Sequence, residues 1–218
     1  YDVIVYDGTG DLTTLRMLGM PEILSWYLRR FRKVFTESDV GKALSPFIQP
    51  VASAVLNVDW NSGDIFSSQP AGQVNNLLDA GRKAVSEPTR VAAYLVTTAA
   101  DDAIATARYL WGSAQQIGLT VGGVLLNQGG DETAIAPQFD PLVVSPIPSQ
   151  TAADWTAIAA ALPDLKQAAA APKPITINES DRTVKLFLPS FSKKQVKLTQ
   201  YGPEVTITAG DQRRNLFL

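Results

Sequence analysis

The stretch that decides the fold is Tyr1–Pro21, with the sequence YDVIVYDGTGDLTTLRMLGMP. It begins with an apolar run, Asp2–Tyr6, whose β-branched centre is typical of a strand buried in a parallel sheet. Asp7 ends the run, a glycine-rich turn follows, and a helical pattern begins after the turn. Open α/β sheets bind ligands at the carboxyl ends of their strands, so this order predicts a ligand site at Asp7.

The carboxylate of Asp7 has two interpretations. It could hold Mg²⁺, usually through water, beside bound phosphates. The other interpretation is that Asp7 and Asp11 cap the following helix, because aspartate is favoured at helix N-termini. Spacing alone favours the cap, and both interpretations stay open at this point.

The composition of the 218 residues is that of a globular protein with a substantial core. A formal net charge of −2 does not indicate nucleic acid, whose binders usually carry a basic surplus. Cys and His are both absent, which excludes disulfides, thiolate or imidazole metal ligands, and histidine bases. No apolar run is long enough to span a membrane, and no signal peptide is visible.

Helix and strand patterns alternate along the middle of the chain. An apolar stripe predicts a helix that begins at Pro21, because proline is tolerated in the first helical turn. Residues 90–98, 101–117 and 120–127 then read as strand, helix and strand, the order of a βαβ unit. A further helix is predicted from Thr151 to about Ala161, with Trp155 and Ile158 facing inward.

The pattern changes towards the C-terminus. Residues 167–174, QAAAAPKP, predict a linker, and short strands separated by turns predict a small all-β module over 175–218. Because such a module has a small core, it should dock against the α/β part. We expect Arg213 and Arg214 to offer their guanidinium groups to acids across that interface or on a neighbouring subunit. The residues expected inside the module are Leu186, Leu188, Val196, Leu198, Val205 and Ile207.

The first stretch resembles the second switch of the ArsA-type ATPases, the family of the arsenite-pump ATPase and of the tail-anchored-protein targeting ATPase of the GET pathway. That switch reads D-T-A-P-T-G-H-T-L-R-x-L-x-x-P. Residues 8–13 depart from the pattern, so its central Pro, Gly and His are lost. The resemblance implies ATP and Mg²⁺ as cofactors, with Asp7 in the Mg²⁺ shell through water. The residues in register, without a gap, are Asp7, Thr14, Leu15, Arg16, Leu18 and Pro21.

A second resemblance lies at the end of the strand 120–127. In the family this strand ends V-N-Q or V-N-R, and here Asn127 and Gln128 stand in that place. The family's Asn reads the adenine edge with its paired donor and acceptor, although an Asn that merely closes a strand turn would look the same. Phe139–Pro148 resembles the last core strand and the proline-bearing loop around the adenine. The nucleotide-binding residues thus implied are Asn127, Gln128, Pro146 and Pro148.

The resemblance also covers the helical insert and the β module. The proline-interrupted segment 41–58 stands where the family carries a helical subdomain, here about 21–86, which lines a client groove in targeting members. Ordinary core would have the same apolar composition. The β segment, with its phrase GDQRRN, resembles the small heat-shock (α-crystallin-like) domain of ArsA-type proteins from photosynthetic lineages. The implied groove residues are Leu44, Phe47, Ile48, Val51 and Val55.

The predicted fold is α/β: a parallel-sheet P-loop NTPase-like core, incomplete in this chain, over 1–166, followed by the linker and the all-β module. The phosphate loop G-x-x-x-x-G-K-[ST] is absent, so we expect the C-terminal portion of a longer, cyanobacterial-type protein. The intact protein is expected to be a homodimer, without zinc, in the cytoplasm or plastid stroma. It would hydrolyse ATP with Mg²⁺ and handle a hydrophobic protein client or target membrane proteins.

Two other functions fit the same residues. The altered core of the switch, Gly10–Thr13, favours a chaperone or scaffold that keeps the ATPase fold without hydrolysing ATP. A structural adaptor that binds no nucleotide is the third possibility. An intact phosphate loop upstream would indicate hydrolysis, and a degenerate one would indicate the scaffold.

Overall fold

The structure, a computed structural model, describes residues 2–37, 68–149 and 155–217. The chain divides into two units, one made of Tyr1–Leu18 with Ala84–Leu218, the other of Gly19–Lys83. The predicted groove residues Leu44, Phe47, Ile48, Val51 and Val55 lie outside the described residues.

The secondary structure follows the order predicted for an α/β part and a β module. The helices are α1 (Thr13–Glu37), α2 (Ser68–Ser86), α3 (Asp101–Ile117), α4 (Glu132–Ile135) and α5 (Thr156–Ala161). Short 3-10 helices lie at Ala136–Gln138, Leu165–Ala170 and Lys193–Gln195. The strands are β1 (Ala93–Thr97), β2 (Val121–Leu126), β3 (Val144–Pro146), β4 (Ile175–Asn178), β5 (Thr183–Leu186), β6 (Val196–Tyr201), β7 (Glu204–Ala209) and β8 (Gln212–Phe217). Among the described residues, no helix is long and apolar enough to cross a membrane.

The α/β part is built on a parallel sheet with the strand order β1-β2-β3. Helix α3 connects β1 to β2 and packs on the sheet through its buried stripe, which includes Ile104, Ala107 and Trp111. Two acids in its first turn favour the helix N-terminus, and Gly118 ends it with a left-handed φ of 90°. This architecture confirms the predicted fold class, with a parallel sheet followed by antiparallel strands.

The run Asp2–Tyr6, predicted as a buried strand, forms no strand in the structure. Its apolar side chains, from Val3 to Tyr6, are between 65% and 83% exposed. A strand needs a neighbour to satisfy its backbone N–H and C=O groups, and no strand of the described ranges pairs with this run. The prediction of a buried strand over Asp2–Tyr6 was therefore wrong.

Helix α1 begins at Thr13 rather than at Pro21, which lies inside it. The cause is the N-terminal cap: the Asp11 carboxylate accepts a hydrogen bond from the Thr13 N–H at 2.8 Å. Leu15, in the first turn, is buried in the core, so the helix is already anchored before it reaches Pro21. The cap interpretation is confirmed for Asp11.

The β module contains a hairpin, β4-β5, and a three-stranded antiparallel sheet of order β6-β7-β8. Its docking on the α/β part is confirmed. Ile207 and Ala209 of β7 are buried, and the Gln116 side chain of α3 donates from Nε2 to the Ile207 carbonyl at 2.7 Å. The Arg214 guanidinium donates to the Gln116 carbonyl at 3.4 Å, near the C-terminus of α3.

Two side chains predicted to face inward are exposed. Leu198 is 70% exposed because it lies on β6, an edge strand, whereas α3 packs against β8 at the other edge of the sheet. Trp155 is also 70% exposed, because α5 begins only at Thr156 and Trp155 therefore precedes the first turn of the helix. Both predictions were therefore wrong.

The stretch between the α/β part and the β module lies against the sheet. Residues Leu165–Ala170 form a 3-10 helix, and the Asp164 side chain caps it through the Lys166 N–H. The methyl group of Ala168 packs where a side chain on Gly122 of β2 would stand, and the Tyr94 hydroxyl donates to the Leu165 carbonyl at 3.1 Å. The predicted domain boundaries stay a prediction.

Candidate active site

The carboxyl ends of β2 and β3 bring together the residues predicted to bind nucleotide. Leu126, the last residue of β2, pairs with Pro146, the last residue of β3. The Ile147 N–H then donates to the Leu126 carbonyl at 2.7 Å, and the Gly129 N–H donates to the Ile147 carbonyl at 3.3 Å. These bonds hold the two strand ends side by side. Asn127, Gln128, Pro146 and Pro148 therefore share one edge of the sheet.

The end of β1 joins the same edge. The Asn127 N–H donates to the carbonyl of Thr97, the last residue of β1, at 2.7 Å. The chain then passes through Thr98 into the first turn of α3 at Asp101. The edge is thus formed by the carboxyl ends of the three described parallel strands, the position at which open α/β sheets bind their ligands.

The side chain of Asn127 is exposed and held by its own turn. Its Oδ1 accepts from the Gln128 N–H at 2.8 Å. Gln128 and Gly129 both have left-handed backbones, with φ values of 64° and 69°, so the chain turns sharply after β2. An amide oxygen has a second lone pair, and the Nδ2 group has no partner among the described residues. The side chain therefore offers a donor and an acceptor together.

Asp7 and Asp11 have different environments. Asp7 is exposed and forms no hydrogen bond or ion pair with the described residues, so its carboxylate is available to a ligand. Asp11 is engaged: Thr9 Oγ1 donates to it at 2.7 Å in addition to the Thr13 N–H. The hydrogen bond from Thr9, followed by that from the Thr13 backbone, lowers the pKa of Asp11 below its ordinary value.

The residues around Asp7 supply few of the oxygen ligands that Mg²⁺ requires. In the described ranges no group of three or more acidic side chains converges to hold a metal ion. Mg²⁺ keeps several waters and often takes only one or two carboxylates, with phosphates supplying further oxygens. A single exposed carboxylate therefore fits a shell position through water, but it cannot hold the ion alone. Asp7 is not among the residues that the hydrogen bonds of the strand edge bring together.

A cleft that the sequence did not reveal lies between the start of α1 and α3. It has a volume of about 350 Å³. The residues along it come from two segments that are far apart in sequence. The start of α1 and the turn before it contribute Gly10, Asp11, Leu12, Thr13 and Arg16, and α3 contributes Thr106, Tyr109 and Leu110. The helical spacing of the α3 residues was visible in the sequence, but nothing indicated which segment they would face.

The fold defines the class: an α/β protein whose parallel strands bring their carboxyl ends to one edge, with an appended all-β module. The family model described as anion-transporting ATPase matches residues 1–139, more than half of the chain. The chain therefore belongs to the anion-transporting ATPase family. Residues 179–218 match the HSP20-like domain found in ArsA, which confirms the resemblance of the β module. No individual curated protein matches the chain.

The family match covers Asp7, Asn127 and Gln128, whereas Pro146 and Pro148 lie beyond its last matched residue. For these two prolines, support comes from the pairing of β3 with β2. The nucleotide-binding and Mg²⁺ roles of all these residues stay predictions.

Proposed function

We propose that this chain supplies the adenine-binding edge and a Mg²⁺-shell carboxylate to an ArsA-type ATPase. The observation that carries the proposal is the edge itself, where Asn127 presents a donor and an acceptor beside the β2 and β3 strand ends. The 218 residues contain no phosphate-binding loop, so hydrolysis requires that loop from a segment outside them.

Each residue has a defined task in this proposal. Asn127 binds the adenine edge through Nδ2 and Oδ1, and the hydrogen bond from the Gln128 N–H orients the amide. Pro146 and Pro148 border the base from the neighbouring strand end. Asp7 orients water molecules of the Mg²⁺ shell, and bound Mg²⁺ would neutralise charge on the phosphates.

Exchanging Asp7 for asparagine tests the proposal in the protein that carries the phosphate-binding loop. ATP turnover should fall by about tenfold to a hundredfold, with a smaller change in ATP affinity, because a shell carboxylate matters most in the transition state. Asp2→Asn is the matched control, since Asp2 is an exposed acid of the same segment, and its turnover should equal that of the wild type. Unchanged turnover in Asp7→Asn would remove Asp7 from the active site.

A second function, the non-hydrolysing chaperone or scaffold, has one observation in its favour. The segment that departs from the family switch is held by Asp11, whose carboxylate accepts from Thr9 Oγ1 and the Thr13 N–H, whereas the family pattern has Ala and Thr at positions 9 and 11. If wild-type protein with its phosphate loop binds ATP but shows no turnover, this second function replaces the first.

We also propose that the intact protein binds a hydrophobic protein client, and an exposed apolar stripe on α1 supports this proposal. Met20, Ile23 and Tyr27 are exposed and recur at intervals of three and four, so they share one helix face. Such a face suits an amphipathic or apolar helix, and methionine adapts to varied partners. We propose homodimerisation as well, through apolar packing of the helical region.

The client prediction is tested with the double variant Met20→Lys, Ile23→Lys. Binding of a fluorescent leucine-rich helical peptide should weaken by about tenfold, because two apolar contacts are lost. The control Ile177→Lys changes an isoleucine of the β module that is more exposed than Ile23, and it should leave binding unchanged. Equal binding by the double variant and the wild type would contradict a client face on α1.

A further inference from the structure

Tyr109 of α3 lies between two regions that are far apart in the sequence, the start of α1 and the β module. Together with Thr106 and Leu110 it forms one wall of the cleft whose other wall is the segment Gly10–Arg16. Its hydroxyl reaches the turn between β7 and β8 in the β module. One side chain therefore faces the altered switch segment and contacts the HSP20-like module.

The contact with the module is a reciprocal pair of hydrogen bonds. The Tyr109 hydroxyl donates to Asp211 Oδ2 at 3.2 Å and accepts from the Asp211 N–H at 3.3 Å. Both the side chain and the backbone of Asp211 are therefore held by the same phenol. A displacement of the Tyr109 hydroxyl changes both bonds at once.

The ring of Tyr109 is also packed tightly against the module. It makes an edge-to-face contact with Phe191, with the ring centroids 5.8 Å apart. A Cβ on Gly210 would stand 2.9 Å from the Tyr109 hydroxyl oxygen and 3.0 Å from the Phe191 ring. Gly210 has a φ of 55°, which favours glycine, so the turn fits against Tyr109 only because this residue has no side chain. The turn must shift if the ring moves.

The other wall of the cleft is anchored at its ends. Asp11 caps α1, and Leu12 and Leu15 pack against the hydrophobic core. The polar side chains of Asp11 and Arg16 lie along the cleft. A rearrangement of this segment changes the shape of a space that Tyr109 borders.

We propose that Tyr109 couples the conformation of the segment Gly10–Arg16 to that of the β7–β8 turn. The link to nucleotide state rests on the proposed ATPase function, but the coupling itself does not require nucleotide. Coupling between two sites is reciprocal, so a change in the turn should also reach the segment. The conformation of the β7–β8 turn would then depend, through α3, on the conformation of the segment Gly10–Arg16.

Hydrogen exchange on the full 218-residue chain without nucleotide tests this coupling. Asp11→Ala, which removes the cap, should raise exchange of the β7–β8 turn amides by about threefold in the wild-type background. In the Tyr109→Phe background, which lacks the hydroxyl but keeps the ring, the same change should have no effect on the turn. The matched control is Asp131→Ala, which removes an equivalent cap in another part of the fold, where the Asp131 carboxylate accepts from the Thr133 N–H; the turn should not respond.

An equal response to Asp11→Ala in both backgrounds, or no response in the wild-type background, would overturn the proposal. A rise that extends equally to the β2 amides would also overturn it, because it would report a general loss of stability. Tyr109→Phe alone should in turn change exchange of the Thr13 and Thr14 amides, as reciprocity requires. Since no nucleotide is present, failure here is distinct from failure of the ATPase proposal, which Asp7→Asn tests.

Discussion

Replacing Trp111 with alanine is expected to lower the free energy of unfolding by about 3–5 kcal/mol, the range for large aromatic side chains removed from a core. Trp111 is 2% exposed and lies in α3. Its ring centroid is 6.2 Å from that of Phe139, in the α/β part, and 5.6 Å from that of Phe187, which follows β5. The indole therefore packs against rings of both the α/β part and the β module, and its loss leaves a cavity between them in the hydrophobic core.

Urea denaturation measures this effect, and Trp155→Ala is its matched control. Trp155 is 70% exposed, so its removal should change the free energy of unfolding by no more than about 0.5 kcal/mol. Trp111→Phe should be milder than Trp111→Ala, because it keeps an aromatic ring and removes a buried indole N–H that has no partner in the described part of the chain. Equal stabilities for Trp111→Ala and Trp155→Ala would contradict the shared core.

Replacing Gly112 with alanine is expected to destabilise the protein by about 2–3 kcal/mol, through overpacking. In an isolated helix the same exchange would stabilise by about 1 kcal/mol, because glycine is a poor helix former. Here a Cβ would stand 2.3 Å from the Pro189 carbonyl oxygen and 2.6 Å from the Phe191 ring. The first of these atoms belongs to the backbone, so the β module must shift away from α3.

The same denaturation measurement decides the sign of the Gly112 effect. Gly10→Ala is the control, because a Cβ at Gly10 meets nothing within 4 Å, and we expect a change of at most about 0.5 kcal/mol. A Gly112→Ala protein that is more stable than the wild type would contradict this prediction. It would show that the gain in helix propensity exceeds the cost of the clash between the added methyl group and the β module.

Much of the α/β part could be predicted because local and long-range signals agree. For α3 the predicted and observed bounds coincide, since acids begin the helix and Gly118 ends it. The nucleotide-binding candidates converge because parallel strands place their carboxyl ends at one edge. The family resemblance implied Asn127 and Pro146, and the parallel order of their strands explains why they lie at one edge.

Other features depend on contacts that no local pattern encodes. Gln115 and Gln116 are fully buried although they are polar, because the β module and the stretch before it cover the end of α3. The run Asp2–Tyr6 has the composition of a strand, but composition cannot supply a pairing partner. Pro21 indicated a helix start only because proline is common there, whereas the cap at Asp11 sets the observed start.

The central proposal, that the edge formed by β2 and β3 receives adenine, is tested most directly by photolabelling with 8-azido-ATP. The labelled protein should carry the phosphate-binding loop, and the modified peptides should be mapped by mass spectrometry. We expect the label within residues 127–149, with competition by unlabelled ATP and a weaker signal in Asn127→Ala. Label that ATP displaces only from the β module, or no displaceable label at all, would contradict the proposal.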